Sequence, residues 1–351
     1  MQRWVRACFA GRTGYSYAKK AEEVARELGI DRVARLASNE NPRPPSPAAI
    51  EAATAALRTA NRYPDERASV LVEALRRYHG DYRFVTGAGM DGVIETVIRT
   101  VVEPGETVVV STPTFSFYAL AATAHGARVV TVPRREDFSV DPAGFIEASR
   151  GAKLAFLCSP NNPTGNSVPP EDVEEILEGT EGLLFLDNAY VDFADIDYRP
   201  LMRRHENLVI GRTMSKIFAL AGLRVGYAFV PEWLEPFYHR AATPFALNSV
   251  SLAAAAGALG DAERVRETRD HVRRWRQRFL EEIPETYSSD ANFVMIDVTP
   301  LSGDEATERL AAKGVLVRSC TSFPGLGNSY IRVSIGEDWE NVRFLEAIEN
   351  L

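Results

Sequence analysis

Seven short runs rich in β-branched and aromatic residues, RFVTG, TVVVS, ARVVTV, KLAFLCS, GLLFLD, NLVIGR and RVGYAFV, recur through the middle of the chain. Their apolar character is nearly continuous, as in strands covered on both faces rather than on one. Between most of them lie segments with apolar residues at helical spacing, such as Val93, Val97 and Val101, then Ala119 and Ala122. Strands alternating with helices predict an α/β fold in which a mostly parallel sheet is flanked by helices. From about Pro231 the rhythm changes. Long helical patterns, including the run DAERVRETRDHVRRWRQRFLEEI, precede a strand (NFVMIDV), a helix, two further strands (VLVRS and SYIRVSIG) and a terminal helix. This predicts a second, smaller α+β domain, and the mixed signs of the charged run read as a solvated helix face.

Ahead of the sheet, an amphipathic helix is expected from Ala18 to Leu28, stopped by Gly29 and followed by NENPRPPSP. Four prolines in nine residues exclude helix and central strand, so this stretch is read as an ordered loop crossing between domains. The expected organisation is an arm and helix over 1–40 packing with the small domain, a large domain over 41–235 and a small domain over 236–351. At roughly 150 residues per domain, the 351 residues accommodate two such cores.

Composition removes several function classes. Forty basic against 48 acidic side chains leave a net charge of −8, which does not attract a polyanion, so no nucleic-acid partner is expected. Cys8, Cys158 and Cys320 are too few and too far apart for a disulfide framework, which fits a reducing, cytoplasmic setting. The N-terminal segment interrupts every apolar stretch with a base, unlike a secretory signal. The apolar region from Ser249 to Leu259 is well short of the ~20 residues that span a bilayer, so no membrane association is expected. The five histidines show no metal-ligand spacing and no GxSxG elbow is present, which argues against a metalloenzyme and a serine hydrolase.

Gly87, Gly89 and Gly92 in GAGMDG follow a predicted strand and open a predicted helix, the context of a dinucleotide fingerprint. No acid stands at the end of the next strand to hold a ribose, since TVVVS runs into Thr112 and Pro113. Two readings remain: a phosphate cradle at a helix N-terminus, or a tight turn without a ligand. Four more segments sit where α/β sheets place ligands: PTFSFY (113–118), SPNNPTG (159–165), LDNAY (186–190) and TMSKIFALAGLRVGY (213–227). Singly, each has an ordinary reading: a turn, a helix cap at Asp187, a surface Lys216, an ion-paired Arg224.

Together, in this order and spacing, these segments resemble the fold-type I pyridoxal-phosphate-dependent aminotransferases. The likeness runs from SNENP (38–42) to RVSIG (332–336), and RYPD (62–65), SKIFALAGLRVGY and VRSCTSFPGLG are most similar to the histidinol-phosphate aminotransferase family. The resemblance implies a cofactor, pyridoxal 5'-phosphate, held by the large domain. Lys216 is then the amine that condenses with the cofactor aldehyde, Asp187 the partner of the pyridine nitrogen, and Tyr190 and Asn162 the partners of the phenolic oxygen. Phe115 stacks on the ring, where many relatives carry tyrosine. The phosphate falls to Gly89 and the backbone N–H groups of Met90 and Asp91, to Ser215 and Arg224, with Thr213 beside them. Gly92 stands where the family often has an acid, and Pro44 where it has a glycine.

The same resemblance implies a homodimer with shared active sites, in which Tyr63 reaches the neighbouring subunit's cofactor phosphate. It makes Arg332 the grip on the substrate α-carboxylate and Arg318 the contact to a substrate phosphate, against an ordinary reading of Arg318 as paired with an acid such as Asp338. Asn41, Tyr15 and Tyr17 are expected to close over the substrate. The implied reaction is ping-pong transfer of an amino group between L-histidinol phosphate and 2-oxoglutarate in histidine biosynthesis. The alternatives are a threonine-phosphate decarboxylase-like reaction and an aminotransferase of broad or aromatic specificity. A non-catalytic regulator on the same fold needs an added DNA-binding domain, for which the forty residues before SNENP are too few.

Overall fold

The structure is a computed structural model that describes residues 4–9, 21–349 and 351. In chain order it runs α1 (Ala21–Leu28), β1 (Ala34–Arg35), α2 (Pro47–Leu57), α3 (Ser69–His79), β2 (Phe84–Ala88), α4 (Gly89–Val101), β3 (Thr107–Thr112), α5 (Phe117–His125) and β4 (Arg128–Pro133). It continues through α6 (Pro142–Ala148), β5 (Leu154–Cys158), α7 (Pro170–Gly179), β6 (Leu183–Asp187), β7 (Leu208–Thr213), β8 (Val225–Phe229), α8 (Glu235–Ala241), α9 (Ser249–Ala258) and α10 (Ala262–Glu282). The last elements are β9 (Phe293–Asp297), α11 (Gly303–Ala311), β10 (Val315–Leu316), β11 (Arg318–Ser319), β12 (Tyr330–Ser334) and α12 (Asp338–Ile348).

The seven apolar runs are the seven strands of one sheet, ordered β2-β8-β7-β6-β5-β3-β4. Pairing is parallel from β7 to β4, and β8 runs against both of its neighbours. Period-two alternation divides the strand residues between two cores. Leu154, Phe156 and Cys158 pack on one face, and Ala155 and Leu157 on the other. Both faces are covered, which is why these strands carry so few polar residues. Because β8 alone is reversed, the C-terminal ends of β2, β3, β5, β6 and β7 lie along a common edge of the sheet, where doubly covered α/β sheets bind ligands.

The later strands form an antiparallel sheet in the order β11-β12-β9, and β1 pairs in parallel with β10. The segment after β1 is laced to the small sheet: Leu36 N–H donates to Leu316 O, and Ser334 N–H donates to Leu36 O. The helix expected from Ala18 is described from Ala21 onward. Among the described residues, no helix is long and apolar enough to cross a membrane.

The turn from β2 into α4 depends on close backbone approach. Gly89 has φ +76°, and β8 passes so near that a Cβ on Gly226 would lie 2.4 Å from the Gly89 carbonyl carbon. Gly226→Ala must therefore push β8 off the start of α4. Overpacking of this kind costs about 1–3 kcal/mol, so equilibrium urea unfolding of the cofactor-free protein is expected to show a lowered midpoint; an unchanged midpoint would contradict the close approach.

Candidate active site

The common sheet edge and the small sheet enclose a cavity of about 650 Å³, within the range of small-molecule sites. At its base is Asp187, the last residue of β6, locked between Cys158 of β5 and Gly211 of β7 by strand pairing. Asp187 is 3% exposed. One oxygen accepts from the Tyr118 hydroxyl at 2.6 Å and the other from the Ala189 N–H at 2.9 Å. Among the described residues it enters no ion pair. Burial pushes its pKa up to about 6, and the positive charge of Lys216 offsets little of this. The site thus holds a nearly dry carboxylate suited to a cationic ligand group.

Lys216 stands in the turn after β7. Thr213 Oγ1 accepts from Ser215 N–H at 3.1 Å and faces Val225 O at 3.4 Å, tying that turn to β8. Lys216 Nζ donates to Ser38 O at 3.3 Å and lies 5.7 Å from the centre of the Tyr190 ring. Burial, with Arg332 and Arg224 nearby, brings its pKa down to about 8, so an appreciable neutral fraction exists near physiological pH.

On the β2 side, the first turn of α4 brings Met90 and Asp91 to the cavity wall beside Thr213, Ser215 and Arg224. First-turn N–H groups lack helical acceptors and favour an anion. Arg224, at φ +52°, spans Gly89, whose missing Cβ leaves room for the guanidinium, and donates to Asp91 Oδ2 at 3.0 Å. Burial raises the Asp91 pKa, opposed by Arg224.

The opposite wall comes from the small sheet. Arg332 is 5% exposed; it donates to Asn162 Oδ1 at 2.6 Å and to Ala37 O at 2.7 Å, and its Nε has no partner. Asn162 is held in place because its neighbour Asn161 bonds Thr114 and the Pro113 carbonyl, joining two loops. Arg318 lies directly opposite Arg332 across the β11–β12 pair, and both line the cavity. Like charges at directly opposed positions repel, so an anion between them is favoured. Asp338, the acid considered for Arg318, instead accepts from Trp275 at 2.6 Å and Arg274 at 3.4 Å.

Twelve of the expected residues line this one cavity: Met90, Asp91, Phe115, Asn162, Asp187, Tyr190, Thr213, Ser215, Lys216, Arg224, Arg318 and Arg332. Gly89 lies beneath Arg224. Asn41 is not in the cavity: its amide braces the Lys216 and Ile217 carbonyls at 3.0 and 3.1 Å, and it lines a smaller neighbouring hollow. Tyr63 is 83% exposed and stacks on Phe245 at 4.8 Å. Tyr15 and Tyr17 lie outside the described residues. Two of the cavity residues not singled out in the sequence bond directly to ones that were. Tyr118 ends the PTFSFY segment, and Asn39, whose amide donates to the Tyr190 hydroxyl at 3.1 Å, stands two residues before Asn41 in SNENP.

Because the folded protein binds a proton on Asp187 more readily than the unfolded chain does, that carboxyl contributes stability below about pH 4 which is lost as pH rises to about 6. Comparing thermal unfolding of the cofactor-free protein with that of Asp187→Asn across this window should therefore show a steeper loss with rising pH in the unsubstituted protein, on the order of 2 kcal/mol. Parallel curves would contradict the desolvated state of this carboxylate.

The aminotransferase class I and II family model matches residues 31–348. The chain is 85% identical to the histidinol-phosphate aminotransferase of Methanoculleus marisnigri over the whole of both chains, and 58% identical to that of Methanocorpusculum labreanum over 97% of each. The crystal structure of histidinol-phosphate aminotransferase from Sinorhizobium meliloti in complex with pyridoxal-5'-phosphate superposes with a TM-score of 0.85 at 28% identity, covering 98% of this chain and 99% of that one. A cavity that gathers a lysine, a buried carboxylate and two opposed arginines, with these relatives, establishes that the chain belongs to the class I and II aminotransferases, alongside the histidinol-phosphate enzymes.

Proposed function

We propose that the protein uses pyridoxal 5'-phosphate to transfer an amino group between L-histidinol phosphate and 2-oxoglutarate, giving imidazole-acetol phosphate and L-glutamate, as a step of histidine biosynthesis. The observation that carries this reading is the meeting, in one cavity, of Lys216, the buried carboxylate of Asp187, and the opposed pair Arg318 and Arg332.

The residues fit that cofactor. Asp187 has the lone pairs and the uncompensated charge to hold a protonated ring nitrogen, and Tyr118 and Ala189 aim it. Phe115 offers an apolar face for the ring. Arg224, Ser215 and the first-turn N–H groups at Met90 and Asp91 offer donors to a phosphate, with Thr213 bracing the turn and Gly89 giving Arg224 its room. Tyr190 and Asn162 offer polar groups to the phenolic oxygen. When bound, the cofactor supplies an electron sink for the bond broken at the substrate Cα.

The remaining chemistry belongs to the chain. Lys216 Nζ is the group that would hold the cofactor aldehyde and, when freed, would serve as the base for the substrate Cα proton, which it would deliver to the aldehyde carbon it had held. Its lowered pKa suits both tasks. Arg332, its plane held by Asn162 and the Ala37 carbonyl, meets the carboxylate of glutamate, and Arg318 meets either the phosphate of the amino alcohol or the distal carboxylate of glutamate. One pair of cations thereby serves both substrates in turn.

We further propose a homodimer in which Tyr63 reaches the partner's phosphate site. The support is the exposure of Tyr63 and Phe245 together with Ile50, Leu57 and Val70, which leaves an apolar surface around α2 and α3 uncovered in the single chain. The large unit, expected to end at residue 235, we extend through α9, because α8 packs on α4 and β2 while α9 packs on α2 and α3. The cysteines, free in every case, suit a reducing cytoplasm.

The purified holoenzyme should absorb in the visible, lose that band on adding histidinol phosphate and regain it with 2-oxoglutarate, with parallel initial-rate lines. Lys216→Ala should abolish both band and turnover; a retained band removes Lys216 from its role. Arg318→Ala should raise KM for histidinol phosphate by about 10- to 100-fold and that for glutamate by a smaller factor, the phosphate carrying more charge than the distal carboxylate; an unchanged KM for histidinol phosphate would refute the phosphate assignment.

A further inference from the structure

Asn39 is a buried L-residue with φ +52°, a conformation that asparagine tolerates better than most but that still needs support. That support employs all its polar groups. Its N–H donates to Ser334 Oγ at 2.8 Å, Ser334 Oγ donates back to Asn39 Oδ1 at 3.0 Å, and Asn292 Nδ2 donates to the Asn39 carbonyl at 3.1 Å. The exchange with Ser334 turns the amide oxygen toward the strand and leaves Nδ2 facing the Tyr190 hydroxyl at 3.1 Å. An amide NH2 has hydrogens to give and no lone pair to offer. The Tyr190 oxygen is therefore the acceptor, and its own hydrogen has no acceptor among the described residues. Tyr190 lines the cavity, and the hydrogen is free to turn there.

We propose that Asn39, oriented by Ser334, is a positioning residue that makes the Tyr190 hydroxyl a one-way, polarised hydrogen-bond donor into the cavity. The inference rests on the reading above, in which Tyr190 faces the cofactor's phenolic oxygen. An unconstrained tyrosine can donate or accept. A phenolate oxygen rewards only donation, and a hydroxyl that is itself accepting donates more strongly. Ser334 and Arg332 are two residues apart on β12 and share one face of it, so the strand that grips the substrate also sets the tyrosine.

The test reads the pH midpoint of the visible band of the holoenzyme. The proton that this midpoint reports is shared with the phenolic oxygen, so weaker stabilisation of that oxygen's charge makes the proton harder to remove and raises the midpoint. Asn39→Gly keeps the positive φ without strain and removes only the amide. It should raise the midpoint by about 0.4–1 pH unit, the equivalent of one hydrogen bond. Tyr190→Phe should raise it at least as far, and adding Asn39→Gly to Tyr190→Phe should produce no further shift. Ser334→Ala provides a second route should Asn39→Gly fold poorly: it leaves the Asn39 side chain present but unoriented, with a smaller shift in the same direction that also vanishes in the Tyr190→Phe background. The charged groups facing the cavity, Glu40, Asp91, Asp187, Lys216, Arg224, Arg318 and Arg332, stay in place in every variant. Additive shifts, or an unshifted midpoint in both Asn39→Gly and Ser334→Ala, overturn this inference alone. An unsubstituted protein that binds pyridoxal 5'-phosphate with no visible band overturns the reading of the site and this inference with it.

Discussion

The bond from the Tyr118 hydroxyl to the Asp187 carboxylate sets the terms for the cavity. It joins the first turn of α5 to the end of β6, across 69 positions of sequence, beneath a wall that admits little water. Two hydrogen bonds are too few to make a buried carboxylate comfortable, so its proton affinity rises. A cationic group arriving in the cavity relieves the carboxylate of that cost. The loss of solvation at this one position thus becomes affinity for a ligand of defined charge.

The other side of the cavity states the opposite preference. Arg318 and Arg332 face each other across a ladder rung, and Arg332 is almost completely buried with one nitrogen idle. Asn162 and the Ala37 carbonyl hold its plane without neutralising it. Charges of opposite sense at the two ends of one enclosure orient a dipolar or multiply ionised guest before any chemistry occurs. Lys216 takes its lowered basicity from burial and from Arg332 and Arg224.

Much of the fold was legible in the sequence because a doubly covered strand needs an unbroken apolar run, and such runs were present at β2 through β8. The site residues were legible for a related reason: Asp187, Thr213 and Met90 stand at or just beyond strand ends, where loops must carry function. Asn39 and Tyr118 escaped because their importance is tertiary. Nothing within SNENP says that its first asparagine meets a tyrosine 151 residues later while its second braces the lysine turn. The outward position of Tyr63 is equally silent in a single chain, since its purpose depends on what covers it.

The stitching of residues 36–39 to β12 bears on how the molecule comes into being. Leu36, Ala37 and Asn39 are made early, whereas Arg332 and Ser334, to which they bond, lie within the last twenty residues. A nascent chain can build most of its large sheet, yet it cannot close its reactive chamber until β12 has been made. The reactive amine is thus in place before the arginine clasp that faces it, and the chamber is complete only where β11 and β12 are present.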